Sequence, residues 1–126
     1  MFRVLIVDDE PRSAEMIRSM LIIHFPVIAV SGIALGVKEA IEKLQLQPVD
    51  LVILDIELNG QSGFELLDKL KNRKWQFITL SATRDHAYKT FEYGGSGYLL
   101  KPVNKNELAA CLSNVLGKKI IAEGTS

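Results

Sequence analysis

The chain alternates short, continuous hydrophobic runs with longer amphipathic stretches. Five runs rich in Val, Ile and Leu occupy residues 2–7, 27–30, 51–54, 77–80 and 98–100. Their apolar residues follow one another instead of alternating with polar ones, which is typical of strands covered on both faces, as in parallel sheets. We therefore predict five buried parallel strands.

The stretches between the runs have the spacing of helices. Apolar residues recur at three- and four-residue intervals within residues 14–21, 37–44, 64–70 and 108–115. Only the fourth connection, residues 83–93, is mainly polar, and a glycine-rich segment, residues 94–97, follows it. We expect the fourth helix to be the least stable one, with a loosely restrained exit.

This order of elements predicts an α/β fold in which a strand–helix unit repeats five times, (βα)5. Right-handed crossovers place helices on both faces of a parallel sheet, giving a three-layer sandwich. A length of 126 residues suits one domain. We predict that the domain covers residues 1–118 and that residues 119–126 form a frayed tail or the remnant of a linker.

Composition and charge exclude several classes of function. Lys and Arg together number 15, as do Asp and Glu, so the neutral chain has no overall field to attract nucleic acid or an anionic membrane. A single cysteine allows no intrachain disulfide and fits a reducing compartment. The apolar runs are too short to span a bilayer. At the N-terminus, acidic residues occur where a signal peptide would have its apolar stretch. These features predict a cytoplasmic chain that binds neither membrane nor nucleic acid directly.

Reactive side chains follow four of the five predicted strands. The first strand is followed by Asp8 and Asp9, the third by Asp55, the fourth by Ser81 and the fifth by Lys101. Because the carboxyl ends of parallel strands meet at one edge of the sheet, where sites in such folds lie, we expect these side chains to share one site.

Three converging carboxylates need a compensating charge. Two like charges about 4 Å apart cost on the order of 4 kcal/mol at an effective dielectric constant near 20. Lys101 supplies one positive charge, and Mg²⁺ suits a set of carboxylates, carbonyls and waters. Such a site is suited to phosphoryl transfer, in which one carboxylate attacks while the metal, a lysine and a hydroxyl hold the phosphoryl oxygens.

Each of these residues, taken singly, also has an ordinary structural interpretation. Asp9, just ahead of Pro11, could cap a helix, and Ser81 or the Lys101–Pro102 pair could belong to plain turns. Because reactive groups follow four of the strands, a shared functional site is favoured over four unrelated caps and turns.

Four motifs in order resemble the receiver domain of two-component response regulators. They are LIVDDEP at 5–11, LDIEL at 54–58, LSA at 80–82 and YLLKP at 98–102. The resemblance spans about residues 2–117 and implies a flavodoxin-like fold with strand order 2-1-3-4-5. YLLKP, with Phe91 and Glu92 upstream of it, and LDIEL look closest to receivers of the LytR/AlgR type, which usually precede a LytTR DNA-binding domain. Such an output domain is not expected within this sequence, which is either a stand-alone receiver or one cut from a longer protein.

The resemblance also implies how the site works. Asp55 is the implied phosphoacceptor, supplied by a sensor histidine kinase. Asp8, Asp9, Asp55 and the backbone carbonyl of Glu57 are implied to hold Mg²⁺, and Lys101 to hold a phosphoryl oxygen next to a cis peptide bond. The chain would then be a signalling phosphoacceptor that catalyses only its own phosphorylation and slow dephosphorylation.

The same resemblance implies a switch. Ser81 and Tyr98 correspond to the pair in which the hydroxyl turns toward the phosphoryl group and the aromatic ring follows inward. Glu57 and Thr83 correspond to positions that tune the lifetime of the phosphoryl group. The fourth helix, fifth strand and fifth helix would form the output surface, which controls an output partner or DNA-binding domain and often forms a dimer on phosphorylation.

Two alternatives stay open at this stage. The fold could serve as an interaction module that binds a partner constitutively, although the intact reactive set argues against this. A metal-dependent phosphatase would need a second acid to protonate its leaving group, and Glu57 is a poor substitute for it.

Overall fold

The computed structural model describes the backbone of residues 1–122 and the side chains of residues 1–117. The strands are β1 (Phe2–Val7), β2 (Ile28–Ala34), β3 (Leu51–Asp55), β4 (Glu57–Leu58), β5 (Gln61–Ser62), β6 (Gln76–Ser81) and β7 (Gly97–Leu100). The helices are α1 (Pro11–His24), α2 (Val37–Leu46), α3 (Phe64–Lys69), α4 (Ala87–Glu92) and α5 (Lys105–Ala122). Within these residues, no helix is both long and apolar enough to cross a membrane.

The main sheet has five strands in the order β2-β1-β3-β6-β7, and all neighbouring pairs are parallel. Because β6 and β7 are the fourth and fifth predicted strands, this is the predicted 2-1-3-4-5 order. The pattern of apolar runs did not predict the short antiparallel hairpin of β4 and β5. Its turn contains Asn59 and Gly60, both with positive φ, as tight hairpin turns require.

The core lies on both faces of this sheet, as the continuous apolar runs predicted. Side chains alternate along β1, so that Val4 and Ile6 join a cluster with residues of α1 and α5, whereas Leu5 and Val7 join a cluster with residues of α2 and α3. The predicted three-layer sandwich is therefore confirmed.

The strand register brings the carboxyl ends of the central strands to a common edge. Val7 pairs with Leu54, and Asp55 pairs with Leu80. The residues that follow β1, β3 and β6 in the chain therefore lie at the same edge of the sheet.

The connection from α4 to β7 is closely packed. A Cβ atom at Gly95 would lie 2.6 Å from Cγ2 of Thr90, and one at Gly97 would lie 2.8 Å from Sγ of Cys111. Gly94 has a φ of 88°, which favours glycine. Two of these glycines thus make room for neighbouring side chains, whereas the loosely restrained exit stays a prediction. Helix α4 itself is short, with six residues.

Helix α5 extends to Ala122 and so enters the segment 119–126, for which the sequence predicts a frayed tail or linker remnant. Residues 123–126 lie outside the described residues. The domain boundary at residue 118 stays a prediction.

Candidate functional site

The predicted acids and lysine meet at the carboxyl edge of the sheet. Asp8 follows β1 and is 0% exposed, and Asp55 ends β3 and is 1% exposed. Lys101, which follows β7, places its Nζ 2.7 Å from Oδ2 of Asp55 and 3.2 Å from Oδ2 of Asp8. Its peptide bond to Pro102 is cis, as expected. One ammonium group thus lies between two buried carboxylates.

Asp9 completes an acidic cluster with these two residues. One carboxylate oxygen from each of Asp8, Asp9 and Asp55 lies within 4.8 Å of the others. Oδ1 of Asp8 accepts a hydrogen bond from the Glu10 amide, whereas Oδ2 is buried without one among the described residues and forms an ion pair with Lys101. Three carboxylates against one ammonium, with an acceptor left over, fit a hard divalent cation such as Mg²⁺.

Burial and charge alter the protonation of this cluster. Burial raises the pKa of Asp55 from 3.8 to about 6, and the negative charge of Asp8 adds to this rise. The hydrogen bond and charge of Lys101 only partly oppose it. For Lys101, burial lowers the pKa, but its hydrogen bond to Asp55 and the charges of Asp55 and Asp8 outweigh that effect and raise it. Near pH 7 the site therefore holds an ionised Asp55 and a protonated Lys101.

The backbone after β3 fixes the position of Asp55. The amide of Glu57 donates to Oδ1 of Asp55 at 3.0 Å, and the amide of Gly63 donates to the carbonyl of Ile56 at 2.8 Å. A Cβ at Gly63 would lie only 2.3 Å from the carbonyl oxygen of Asp55. The β4–β5 hairpin therefore folds back against Asp55, and only a glycine at residue 63 permits this approach.

The side chain of Glu57 faces the end of β6. Its Oε2 accepts from the Ser81 hydroxyl at 2.9 Å, and its Oε1 accepts from the Ala82 amide at 3.0 Å. Nε2 of His86 lies 3.5 Å from Oε2. The sequence placed Glu57 and Ser81 at the same edge. It predicted neither the hydrogen bond between them nor the contact of His86 with Glu57. The backbone carbonyl of Glu57 as a metal ligand stays a prediction.

Ser81 and Tyr98 are connected through Thr83. The amide of Thr83 donates to Oγ of Ser81 at 3.1 Å, and the phenol hydroxyl of Tyr98 donates to the backbone carbonyl of Thr83. Ser81 is buried, Tyr98 is half-buried and the Thr83 side chain is exposed. The two residues of the predicted switch pair thus both bond to the backbone of Thr83.

Comparison with known proteins decides the family. The family model of the response regulator receiver domain matches residues 4–113. The chain belongs to the receiver domains of response regulators. The sensory transduction protein LytT of Enterococcus faecalis is 36% identical to it over 107 residues, which are 83% of this chain and 44% of LytT. This agrees with the resemblance to the LytR/AlgR type, and the receiver domain spans about half the length of the curated relatives it matches.

Solved structures of receiver domains superpose closely on this one. TrrA from Thermotoga maritima, in complex with Mg(2+)-BeF, has a TM-score of 0.78 and 30% identity over 91% of this chain and 99% of that one. CheY6 of R. sphaeroides with the P1 domain of CheA3 has a TM-score of 0.79 and 31% identity, over 92% and 97%. The receiver fold expected from the sequence is confirmed.

Proposed function

We propose that this receiver domain takes a phosphoryl group from a sensor histidine kinase onto Asp55 in a Mg²⁺-dependent step. The observation that carries the proposal is the position of Asp55, which is buried beside Lys101 within a cluster of three aspartates. The solved complexes of TrrA with Mg(2+)-BeF and of CheY6 with the CheA3 P1 domain support it by similarity.

The chemistry is a phosphoryl transfer between two side chains. A carboxylate oxygen of Asp55 attacks the phosphorus of a phosphohistidine, the P–N bond breaks and the imidazole nitrogen keeps its electron pair. Lys101 and the Ser81 hydroxyl supply positive charge and a hydrogen bond for phosphoryl oxygens. Mg²⁺, held by Asp8, Asp9, Asp55 and the carbonyl of Glu57, would neutralise phosphoryl charge. Water later hydrolyses the aspartyl phosphate slowly, and Glu57 and Thr83 set its lifetime.

A groove beside the site suits the docking of a phosphate donor. It has a volume of about 410 Å³ and lies between α1 and the loop after β7. Its lining includes Met16 and Ile17 of α1 and Lys101, Pro102 and Val103 of the loop. An apolar groove that reaches Lys101 would hold a partner next to Asp55.

The output would be a change of the surface formed by α4, β7 and α5. A phosphoryl group adds about −1.5 to −2 charges near Ser81, whose hydroxyl can reorient toward it. Because Thr83 bonds to both Ser81 and Tyr98, movement of residues 81–83 would carry the Tyr98 ring inward. Tyr88 and Phe91 of α4 are 77% and 57% exposed, which suits a phosphorylation-dependent homodimer.

The output that this surface controls would lie in a partner or in another part of a longer protein. The relative named transcriptional regulatory protein MalR favours transcription regulation, and the LytT and LytR relatives favour a LytTR-type DNA-binding domain. The receiver itself would act in the cytoplasm without direct contact to nucleic acid or membrane.

The test is the intact mass of the protein after incubation with acetyl phosphate, with and without Mg²⁺. We expect a gain of one phosphoryl group that requires Mg²⁺ and is absent in Asp55→Asn. Asp85→Asn, which changes an exposed aspartate in the loop before α4, is the matched control and should be phosphorylated like the wild type.

Two outcomes would contradict the proposal. Folded protein that gains no mass in excess Mg²⁺ would favour the constitutive interaction module. Turnover of a generic phosphate ester would favour the aspartyl phosphatase.

A further inference from the structure

The Glu57 carboxylate binds two hydrogen-bond donors at the end of β6. Ser81 Oγ donates to one of its oxygens at 2.9 Å and the Ala82 amide donates to the other at 3.0 Å. The donors belong to the next two residues after Leu80, the register partner of Asp55. An anion is therefore already bound to the donors that face the site.

These donors cannot serve two anions at once. A serine hydroxyl has a single hydrogen to donate, and Ser81 gives it to Glu57 while accepting from the amide of Thr83. A phosphoryl group offers the same kind of acceptor as a carboxylate, a negatively charged oxygen. A phosphoryl group on Asp55 can thus gain the Ser81 hydroxyl only when Glu57 releases it.

We propose that Glu57 is a positioning residue that occupies Ser81 and the Ala82 amide in the unphosphorylated domain and that the phosphoryl group displaces it. This inference rests on the proposed function, since it requires a phosphoryl group on Asp55. The backbone amide of Glu57 bonds to Asp55, but its carboxylate contacts neither Asp55 nor Lys101 and acts by holding the donors that would bind the phosphoryl oxygens.

The Glu57 carboxylate can leave its position at low cost. Its side chain is 46% exposed, so that the released carboxylate becomes hydrated by solvent. Among the described residues, the contacts of this carboxylate are with Ser81, Ala82 and His86, and none of them is to Lys101 or the aspartates.

Release of the Glu57 carboxylate would also affect the start of α4. His86 stands at the residue before α4, with its Nε2 3.5 Å from Glu57, and its carbonyl accepts from the Thr90 hydroxyl at 2.8 Å. The hydroxyl of Thr90 in turn pairs with that of Thr79 in β6. Displacement of Glu57 therefore removes one of the contacts that hold the start of α4 against the site.

The experiment measures the affinity for beryllofluoride, an unreactive phosphoryl analogue, at saturating Mg²⁺. We expect Glu57→Ala to bind it about tenfold more tightly than the wild type, because the competing carboxylate is gone. Glu57→Gln, whose amide retains one acceptor oxygen, should fall between them. Glu10→Ala is the matched control, since it removes an exposed acid next to Asp8 whose side chain bonds neither donor.

A second readout follows the Ala82 amide itself in the ligand-free protein. We expect its ¹⁵N–¹H signal to move and its hydrogen exchange to accelerate in Glu57→Ala but not in Glu10→Ala, because the hydrogen bond to Glu57 is lost. If Glu57→Ala fails to fold, Glu57→Gln provides both measurements.

The outcomes separate the two proposals. A wild-type domain that binds no beryllofluoride and gains no phosphoryl group would overturn the proposed function. A wild-type domain that binds it, with equal affinities in the Glu57 and Glu10 variants, would overturn only the role of Glu57, because the effect would then be one of overall charge.

Discussion

Lys101 Nζ lies 2.7 Å from Asp55 and 3.2 Å from Asp8, so one ammonium group pairs with two carboxylates that have almost no solvent contact. The side chain of Lys101 is 21% exposed. Charges at such low exposure have lost most of their hydration, and each depends on its partner for compensation. Removing the lysine would leave both acids without a cation.

We expect Lys101→Met to destabilise the Mg²⁺-free domain by about 3 kcal/mol at pH 7, because it leaves two buried like charges uncompensated. Saturating Mg²⁺ should restore part of this loss, since the metal supplies the missing positive charge. Urea unfolding followed by circular dichroism, with and without Mg²⁺, measures both effects. Lys38→Met, at an exposed lysine of α2, is the control, and an equal loss in the two variants would contradict the interpretation.

The affinity for Mg²⁺ should depend on pH through Asp55. Its pKa of about 6 in the metal-free domain means that protons compete with the metal below this value, because protonation removes the ligand charge. The affinity should therefore be about tenfold weaker at pH 5 than at pH 7. Calorimetric titration at the two pH values checks this. In Asp55→Asn binding should be weaker and the pH dependence smaller, whereas an unchanged dependence would assign the titration to another group.

Tyr98→Ala should leave Mg²⁺-dependent phosphorylation intact but prevent dimerisation of the phosphorylated domain. The variant removes the ring and its hydrogen bond to the Thr83 carbonyl, and it keeps the acids and Lys101. Sedimentation velocity with beryllofluoride measures the monomer–dimer balance. Tyr98→Phe, which loses only the hydroxyl, separates the ring from the hydrogen bond. Equal dimerisation of Tyr98→Ala and the wild type would refute this coupling.

Gly63→Ala should destabilise the domain by about 3 kcal/mol and slow its phosphorylation. The added Cβ would lie 2.3 Å from the carbonyl oxygen of Asp55, so the hairpin or Asp55 must move. Thermal unfolding and the rate of mass gain with acetyl phosphate measure the two effects. Gly36→Ala is the control, since a Cβ there meets nothing within 4 Å and the backbone is extended. Similar losses in both variants would show that crowding at Asp55 is not the cause.

The sequence predicted the edge on which the site lies because the geometry of parallel strands leaves little choice. Once the apolar runs are assigned to parallel strands, Asp8, Asp55 and Lys101 must follow them at the same end of the sheet. The strand order could not be obtained from the runs alone, and it came from the resemblance of the motifs to receiver domains.

The contacts of the Glu57 side chain could not be predicted from the sequence, for a physical reason. The hairpin that carries it has two residues in each strand, which is too short for any periodic signal. Its partner Ser81 lies 24 residues away, and the rotamer that joins them depends on packing between loops. The residues could be placed at one edge, but not their orientation toward each other.

The glycines around the start of β7 show a similar limit. A glycine in a sequence indicates freedom of the backbone, but it does not reveal which neighbour fills the space that a side chain would take. Here those neighbours come from other elements: Thr90 of α4 stands at Gly95, and Cys111 of α5 stands at Gly97.

The contact between Gly97 and Cys111 has a consequence for chemical labelling of this domain. Cys111 is the single cysteine of the chain, and its thiol is half-buried, with a pKa that burial raises. A raised pKa lowers the fraction of reactive thiolate, so maleimides and similar reagents react slowly. Any adduct would lie at the contact between α5 and β7, because the sulfur lies 2.8 Å from where a Cβ at Gly97 would be. A fluorophore or spin label attached at the native thiol would therefore perturb the surface whose movement it was meant to report, and labels belong on a cysteine introduced elsewhere after Cys111 is replaced.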